Sequence, residues 1–354
     1  MTPPDVSVLV PVRNEAAVLP ATAETILAQD WPGTIEYLFV DGRSDDGSRA
    51  ILDELAARDP RVRVLDNPAG DLASALRIGL ESAQGEFVAK LDAHTFFPPA
   101  YVRAGVERLR RGDVGWVSGP PIPFGVDPSS RRVALALGTW LGVGGSAKWS
   151  DEEERDLETG VFSGVWRRDR LVELGGWDPD WPVNEDSELA SRFLAAGERI
   201  VCLPAMAAHY VPRSTMSGLA RQYLRYGYYR AKTAGRHPAS LRPVHLGPPV
   251  LVAAAARALL GGRRARRVAG PPLLAYAGAV LAASASAPLR DAPLMPPVFA
   301  VMHFGFGAGY LGGCVRFGPP VAGIAHLLRR ERAERPPGAR GRPADLHAFR
   351  GGIS

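Results

Sequence analysis

Apolar and polar positions follow two rhythms along the first part of the chain. Val6 to Val12 is a continuous apolar run, the mark of a strand covered on both faces, and Ala16 to Ala28 follows with helical spacing. Ile35 to Val40 is a second such run, and a helix is expected from Arg49 to Arg58. Val62 to Leu65 leads to a helix over Leu72 to Ser82, and Phe87 to Leu91 to a helix over Pro99 to Arg110. Strand and helix in regular alternation predict an α/β domain, a mainly parallel sheet flanked by helices. Further along, the pattern predicts a strand over Val161 to Trp166, a short helix over Arg168 to Leu174 and a helix from Asn184 to Ala196. A strand over Ile200 to Leu203, a polar connector at Ala208-His209-Tyr210 and a helix over Met216 to Arg230 complete the domain.

In such sheets ligands gather at the carboxyl ends of the strands. Polar clusters stand at three of those ends: Arg13-Asn14-Glu15, Asp41 to Ser48, and Asp92-Ala93-His94. The first loop has no glycine, so the G-x-G-x-x-G of a dinucleotide site is missing and hydride transfer is excluded. Asp92 and His94, two apart at a strand end, are expected on one face. A carboxylate and an imidazole side by side can hold one divalent ion, and the imidazole shifts the choice from magnesium toward manganese. The plainer reading of that pair is a capped or solvated turn. For Asn184-Glu185-Asp186 it is a helix cap, since acids in a first turn are stabilised by the helix dipole.

From Val244 to Val315 the chain is dominated by Ala, Leu, Val, Gly and Pro. Residues 268–289 and 294–315 are long enough to cross a bilayer, at about 1.5 Å per residue against a core near 30 Å. Residues 246–260 are shorter, begin near Pro248-Pro249 and include Arg257, so they form either a third span or a helix lying in the interface. The 42 basic residues outnumber the 37 acidic ones, and the excess collects at Arg263-Arg264-Ala265-Arg266-Arg267 and in the tail from Arg329 to Arg342. Two spans would keep both clusters on the cytoplasmic side with the α/β domain, as the positive-inside tendency favours. Basic clusters beside apolar spans point to a membrane, and without interleaved aromatics a nucleic-acid partner is excluded. Cys202 and Cys314 suggest neither a disulfide framework nor a zinc site. The first residues lack the pattern of a cleaved signal, so the α/β domain is expected in the cytoplasm.

Six motifs in chain order resemble the family 2 inverting glycosyltransferases of GT-A fold. They are Val10-Pro11-Val12-Arg13-Asn14-Glu15, Val40-Asp41-Gly42-Arg43-Ser44-Asp45-Asp46-Gly47-Ser48, Leu91-Asp92-Ala93-His94, Gly175-Gly176-Trp177-Asp178, Asn184-Glu185-Asp186 and Gln222-Tyr223-Leu224-Arg225-Tyr226. Within that family the chain is similar to the membrane-bound glucosyltransferases that build succinoglycan-type exopolysaccharide. His94 stands where the general pattern has a second Asp, and Tyr226 where many relatives have Trp. The resemblance covers about Val6 to Lys232 with a similar apolar region behind it, and with composition it divides the chain into a catalytic domain over residues 1–242, a membrane region over 243–320 and a disordered Arg-rich tail over 321–354. It also implies a nucleotide-sugar donor, usually a uridine diphosphate sugar, with a divalent ion, Mn2+ before Mg2+, on Asp92 and His94. His209 is a third metal or diphosphate contact, or else an ordinary connector residue. Pro11, Arg13, Glu15 and Asp41 would form the nucleoside side. Gln222 and Arg225, three apart on one helix face, would hold the diphosphate or the acceptor, or else pack at an interface. Lys90 would neutralise phosphate or serve in a structural ion pair. Asp186 would be the base that takes the acceptor's proton, with Glu185 less favoured. The implied acceptor is a polyprenyl-diphosphate-linked glycan at the cytoplasmic membrane. A polyprenyl-phosphate glycosyl synthase and a non-catalytic nucleotide-sugar-binding scaffold are the alternatives.

Overall fold

The structure is a computed structural model that describes residues 3–143, 153–160 and 163–334. Its strands are β1 (Val6–Val12), β2 (Ile35–Asp41), β3 (Val62–Asp66), β4 (Phe87–Lys90), β5 (Thr95–Phe96), β6 (Trp116–Ser118), β7 (Pro121–Pro123), β8 (Arg155–Asp156), β9 (Gly164–Arg167), β10 (Ile200–Cys202) and β11 (Ala208–Tyr210). Eight of them form one sheet in the order β3-β2-β1-β4-β9-β6-β10-β8. β1 lies between β2 and β4, parallel to both, with Val6 opposite Ile35 on one side and Phe87 on the other. β9 runs antiparallel between β4 and β6, and β8 antiparallel to β10 at the edge, so the expected mainly parallel sheet carries two reversed strands.

Side chains alternate along β1 and bury it twice over. Val6, Val8 and Val10 pack in a cluster with Leu19 and Ile26 of α1 (Leu19–Leu27) and, beyond α2 (Ser48–Arg58) and α3 (Leu72–Ser82), with Val102 and Val106 of α4 (Tyr101–Leu109). Leu9 faces the other way, into a cluster with Leu76 of α3 and, past the short helices α5 (Pro128–Leu137), α6 (Trp140–Val143) and α7 (Arg168–Glu173), Leu189 and Phe193 of α8 (Glu185–Ala195). Trp116, Trp166 and Trp177 close that second cluster, with ring centroids 4.8 and 5.4 Å apart.

Several elements differ from expectation. β4 stops at Lys90, so Asp92-Ala93-His94 lies in the turn that leads into β5. Ala208-His209-Tyr210, expected as a connector, is the central strand of a small sheet ordered β5-β11-β7. β7 holds two prolines and lies at the edge, where a missing donor is tolerated. Val161 and Phe162 of the expected strand over 161–166 lie outside the described residues, and β9 begins at Gly164.

Four more helices follow α8: α9 (Met216–Arg236), α10 (Gly247–Leu260), α11 (Arg263–Ala285) and α12 (Met295–Phe317), with α13 (Val321–Glu334) after them. The stretch expected as a disordered tail thus starts as a helix, launched by Pro319-Pro320 and built from strong helix formers. Its remainder, from residue 335, lies outside the described residues. Among the described residues three segments are long and apolar enough to cross a membrane: Pro243–Leu260, Arg263–Ala285 and Ala292–Phe317. The first, expected as the doubtful one, reaches that length only with the helical turn ahead of α10.

Candidate active site

The side chain at the centre of the cleft is Lys90. It is 1 % exposed, at the end of β4, and its Nζ lies 3.1 and 3.0 Å from the two carboxylate oxygens of Asp186. Glu185 stands 3.5 Å and Asp92 3.8 Å from the same nitrogen. A buried ammonium is tolerated only when carboxylates compensate the lost hydration. Burial alone would pull Lys90 down, but Asp186, Asp92 and Glu185 outweigh it, so the group stays charged well above the ordinary lysine range. Lys90 is therefore the centre of a buried cluster of three carboxylates.

Asp186 sits in the first turn of α8. Burial pushes its carboxyl well above the ordinary range, and Glu185 and Asp92 push the same way against the opposing Lys90. Asn184, expected as a helix cap, makes no side-chain cap; it takes a left-handed conformation with φ 66°. Its amide instead donates to the Tyr226 carbonyl at 3.1 Å and accepts from Arg230 at 2.7 Å, and Arg230 also donates to Ser187 at 2.8 Å. The start of α8 is thus tied to α9, and Glu188, bonded to Arg192 and to His237 at the end of α9, ties it again.

Asp92 is buried, with the Ser163 hydroxyl 3.4 Å away. Two residues on, Nδ1 of His94 lies 3.2 Å from Glu15 Oε1. Burial draws the imidazole down, but Glu15, helped by Asp92, more than offsets it and the net direction is upward. His209 does not join this pair. It is exposed on β11 opposite Phe96, with its ring against Phe124, and among the described residues no three His, Cys, Asp or Glu side chains gather as a metal site. Asp92 and His94 nevertheless suit a divalent ion. A carboxylate against one ring nitrogen is the usual support of a metal-ligating imidazole, leaving Nε2 free and further positions open to substrate oxygens.

The remaining expected residues are spread around this centre. Asp41, at the end of β2, is buried and accepts from the Ser44 backbone N–H at 3.3 Å. Pro11 lies inside β1, half-buried, and Arg13 reaches the Gly70 carbonyl, which commits its guanidinium to joining loops. Gln222 donates to the Tyr226 hydroxyl at 2.9 Å, and Arg225 is exposed on the same helix. Arg213 was not legible as a site residue: its charge acts on both His94 and Tyr226, and only its place just past β11 puts it there. Ser163 and Arg230 were equally silent in the sequence.

The pattern described as Glycosyl transferase family 2 matches residues 7–163. The Succinoglycan biosynthesis protein ExoA of Rhizobium meliloti (strain 1021) is 30% identical over 234 residues, covering 66% of this chain and 71% of that protein. The chain belongs to glycosyl transferase family 2. A second relative of this family 2 transferase is a Methanococcus voltae enzyme, a dolichyl N-acetyl-alpha-D-glucosaminyl phosphate 3-beta-D-2,3-diacetamido-2,3-dideoxy-beta-D-glucuronosyltransferase. It is 22% identical over 231 residues, 63% of this chain and 71% of its own. Among solved structures, the mannosyltransferase PcManGT from Pyrobaculum calidifontis, in complex with GDP-Man and Mn2+, matches 95% of this chain and 89% of its own with a TM-score of 0.53 and 22% identity. At that identity the likeness is one of fold, and the fold is GT-A.

Proposed function

We propose that this transferase moves a hexose, glucose first among candidates, from a uridine diphosphate sugar to a polyprenyl-diphosphate-linked oligosaccharide, inverting the anomeric centre. The work would be done at the cytoplasmic face of a membrane, in the synthesis of an exopolysaccharide or another cell-surface glycan. One observation supports the reading most: a single buried ammonium lies 3.0 Å from Asp186 and 3.8 Å from Asp92, so the side chains we assign to the base and to the diphosphate end stand close together.

Asp92 and His94 would hold the divalent ion, manganese first and magnesium second, with Glu15 steadying the ring. When bound, the ion neutralises the charge that develops on the diphosphate. Arg213, Gln222 and Arg225 would add donors around that diphosphate, and Asp41 would accept from the uracil ring. The acceptor hydroxyl attacks the anomeric carbon as the bond to the diphosphate oxygen breaks. Its proton passes to Asp186, and the nucleoside diphosphate leaves with the electron pair. A carboxyl raised by burial suits a proton acceptor, since its basicity lies closer to working pH. The lipid-linked acceptor is supported by α9, which carries Tyr226 toward Glu185 and Asp186 on one side and packs on α12 with the other.

A donor screen with labelled nucleotide sugars, manganese and native lipid extract, followed by mass analysis of the product, tests the reading. Label on a diphosphate-linked oligosaccharide is expected. Label on a bare lipid phosphate would make the chain a polyprenyl-phosphate glycosyl synthase, and donor binding without turnover would make it a scaffold.

A further inference from the structure

The three apolar helices are long enough to span a bilayer, but their packing points elsewhere. If α11 and α12 crossed as a pair, the turn between them would stand on the far side from the catalytic domain. Instead that turn rests on the domain. Asp291, 5 % exposed, lies 3.4 Å from Arg132 and 3.8 Å from Arg131 of α5, beside an open cavity of about 430 Å3 lined by these residues, Asp127 and Arg290. Beneath it Val133 and Leu137 of α5 share one apolar cluster with Val280 of α11 and Met295 and Phe299 of α12.

The other end of α12 is held as firmly. Its glycines advance along α9 in step: Gly305 meets Ala220 and Tyr223, Gly309 meets Leu224, and Gly313 meets Tyr228 and Ala231. α12 therefore cannot cross a bilayer without α9 crossing beside it. α9 carries Arg221, Arg225, Arg230, Lys232 and Arg236, and a cation at a bilayer centre is costly unless paired or hydrated. Arg230 is also the residue that grips the start of α8. If α10 and α11 crossed while α12 stayed, the cluster Arg263 to Arg267 would face outward, against the positive-inside tendency.

Large apolar side chains nevertheless point away from the protein on the outer helices. Leu260 is 90 %, Leu274 74 % and Leu289 94 % exposed, and Val268 and Leu281 of α11 are exposed as well. Exposed arginines stand among them, at 257, 263, 264, 266 and 267. Apolar faces bordered by cations fit the headgroup and upper acyl region of an anionic leaflet.

We propose that α10, α11 and α12 form a monotopic docking surface, buried in one leaflet of an anionic bilayer and not crossing it. Both helix turns, at 261–262 and 286–294, then lie on the same side as the catalytic domain. The proposal rests on the membrane site of action given above; of its arguments only the one against α10 and α11 crossing alone uses the cytoplasmic side.

Single cysteines at Arg290→Cys, Arg264→Cys and, as the catalytic-domain reference, Glu54→Cys test it in the full chain with Cys202 and Cys314 replaced by Ala. Each is exposed to a membrane-impermeant maleimide in intact spheroplasts and again after lysis, with labelling in detergent as the measure of full reaction. The expected result is that all three share one side. Labelling of position 290 or 264 from the side opposite to position 54 overturns the proposal. Labelling of position 54 from outside would overturn the cytoplasmic reading while leaving the docking mode standing. On vesicles containing phosphatidylglycerol, replacing Arg263, Arg264, Arg266 and Arg267 by Gln is expected to weaken partitioning at least tenfold. Unchanged partitioning, or a face that only joins two copies of the chain in detergent, would remove the anionic leaflet as its occupant.

Discussion

The catalytic sheet and the helical region are both rich in apolar residues, yet they use them in opposite ways. In the sheet, large branched side chains point inward: Val8, Val10 and Leu9 are fully buried between helices on two faces. In the helical region the seam between α9 and α12 belongs to glycine, and beside a smaller buried cluster around Met295 and Phe299 many large side chains face out. A β-carbon on Gly227 would collide with the Phe306 carbonyl, and one on Gly309 with the Leu224 carbonyl, so α9 and α12 meet backbone to backbone. Hydropathy reads both regions as apolar; only the direction of the side chains separates a core from a surface that needs a second phase. The candidate active site lies at the junction, because Asn184 and Arg230 fasten the start of α8 to α9.

The largest effect expected lies on the sheet side of that junction. Asp186→Asn keeps the shape of the carboxyl but cannot accept a proton, so turnover with a native acceptor should fall by roughly a hundred- to ten-thousand-fold. Nucleotide-sugar binding, followed by fluorescence or calorimetry, should change little. Unchanged turnover would remove Asp186 as the base.

Lys90→Met probes the same cluster from its centre. Breaking a buried ion pair from one side typically costs about 3–5 kcal/mol, because the partner charge is stranded. Denaturant midpoints should show a loss of that order. The activity profile gives a sharper signature. Asp186 works deprotonated, burial already raises its carboxyl, and Lys90 is the charge that lowers it. The acid limb of kcat/KM should therefore lie above the ordinary carboxylate range and move to still higher pH in the variant. A limb that stays put, or moves down, would separate Lys90 from the base.

Two substitutions of opposite kind test whether the two regions really pack differently. Leu9→Ala empties a site in the sheet core and should cost about 2–5 kcal/mol. Gly309→Ala adds one carbon to the helical seam and should cost about 1–3 kcal/mol, since α12 must move off α9. Leu274→Ala, by contrast, should leave stability in detergent unchanged and weaken only vesicle binding. A Gly309→Ala protein as stable as the parent would mean that the seam is looser than its geometry.

How legible each region was follows from the same contrast. β1 over Val6–Val12 and α3 over Leu72–Ser82 have the boundaries the pattern predicted, because long runs of one period specify both element and face. β5, β6, β7 and β11 have two or three residues each, too few to show any period, and β11 was taken for a connector. Asp92, His94, Asp186 and Lys90 could be singled out from motifs, whereas Arg213, Ser163 and Arg230 enter the cleft only through tertiary packing. Glycines 305, 309 and 313 were visible as composition, but nothing local says that they face another helix.

The smallest effect belongs to Tyr226, which stands at the meeting of the two regions. Its hydroxyl accepts from Gln222 at 2.9 Å on the same helix, and the residue is 40 % exposed. Tyr226→Phe keeps the ring against Tyr223, at a centroid distance of 5.7 Å, and removes one hydrogen bond worth about 0.5–1.5 kcal/mol. If the hydroxyl only steadies α9, stability should fall by no more than that and kcat should stay within about tenfold, by the same arithmetic of free energy. A loss confined to KM for the acceptor, with stability intact, would instead make Tyr226 a contact of the acceptor glycan. That outcome would move the boundary between the catalytic half and the membrane half from α12 to the exposed face of α9.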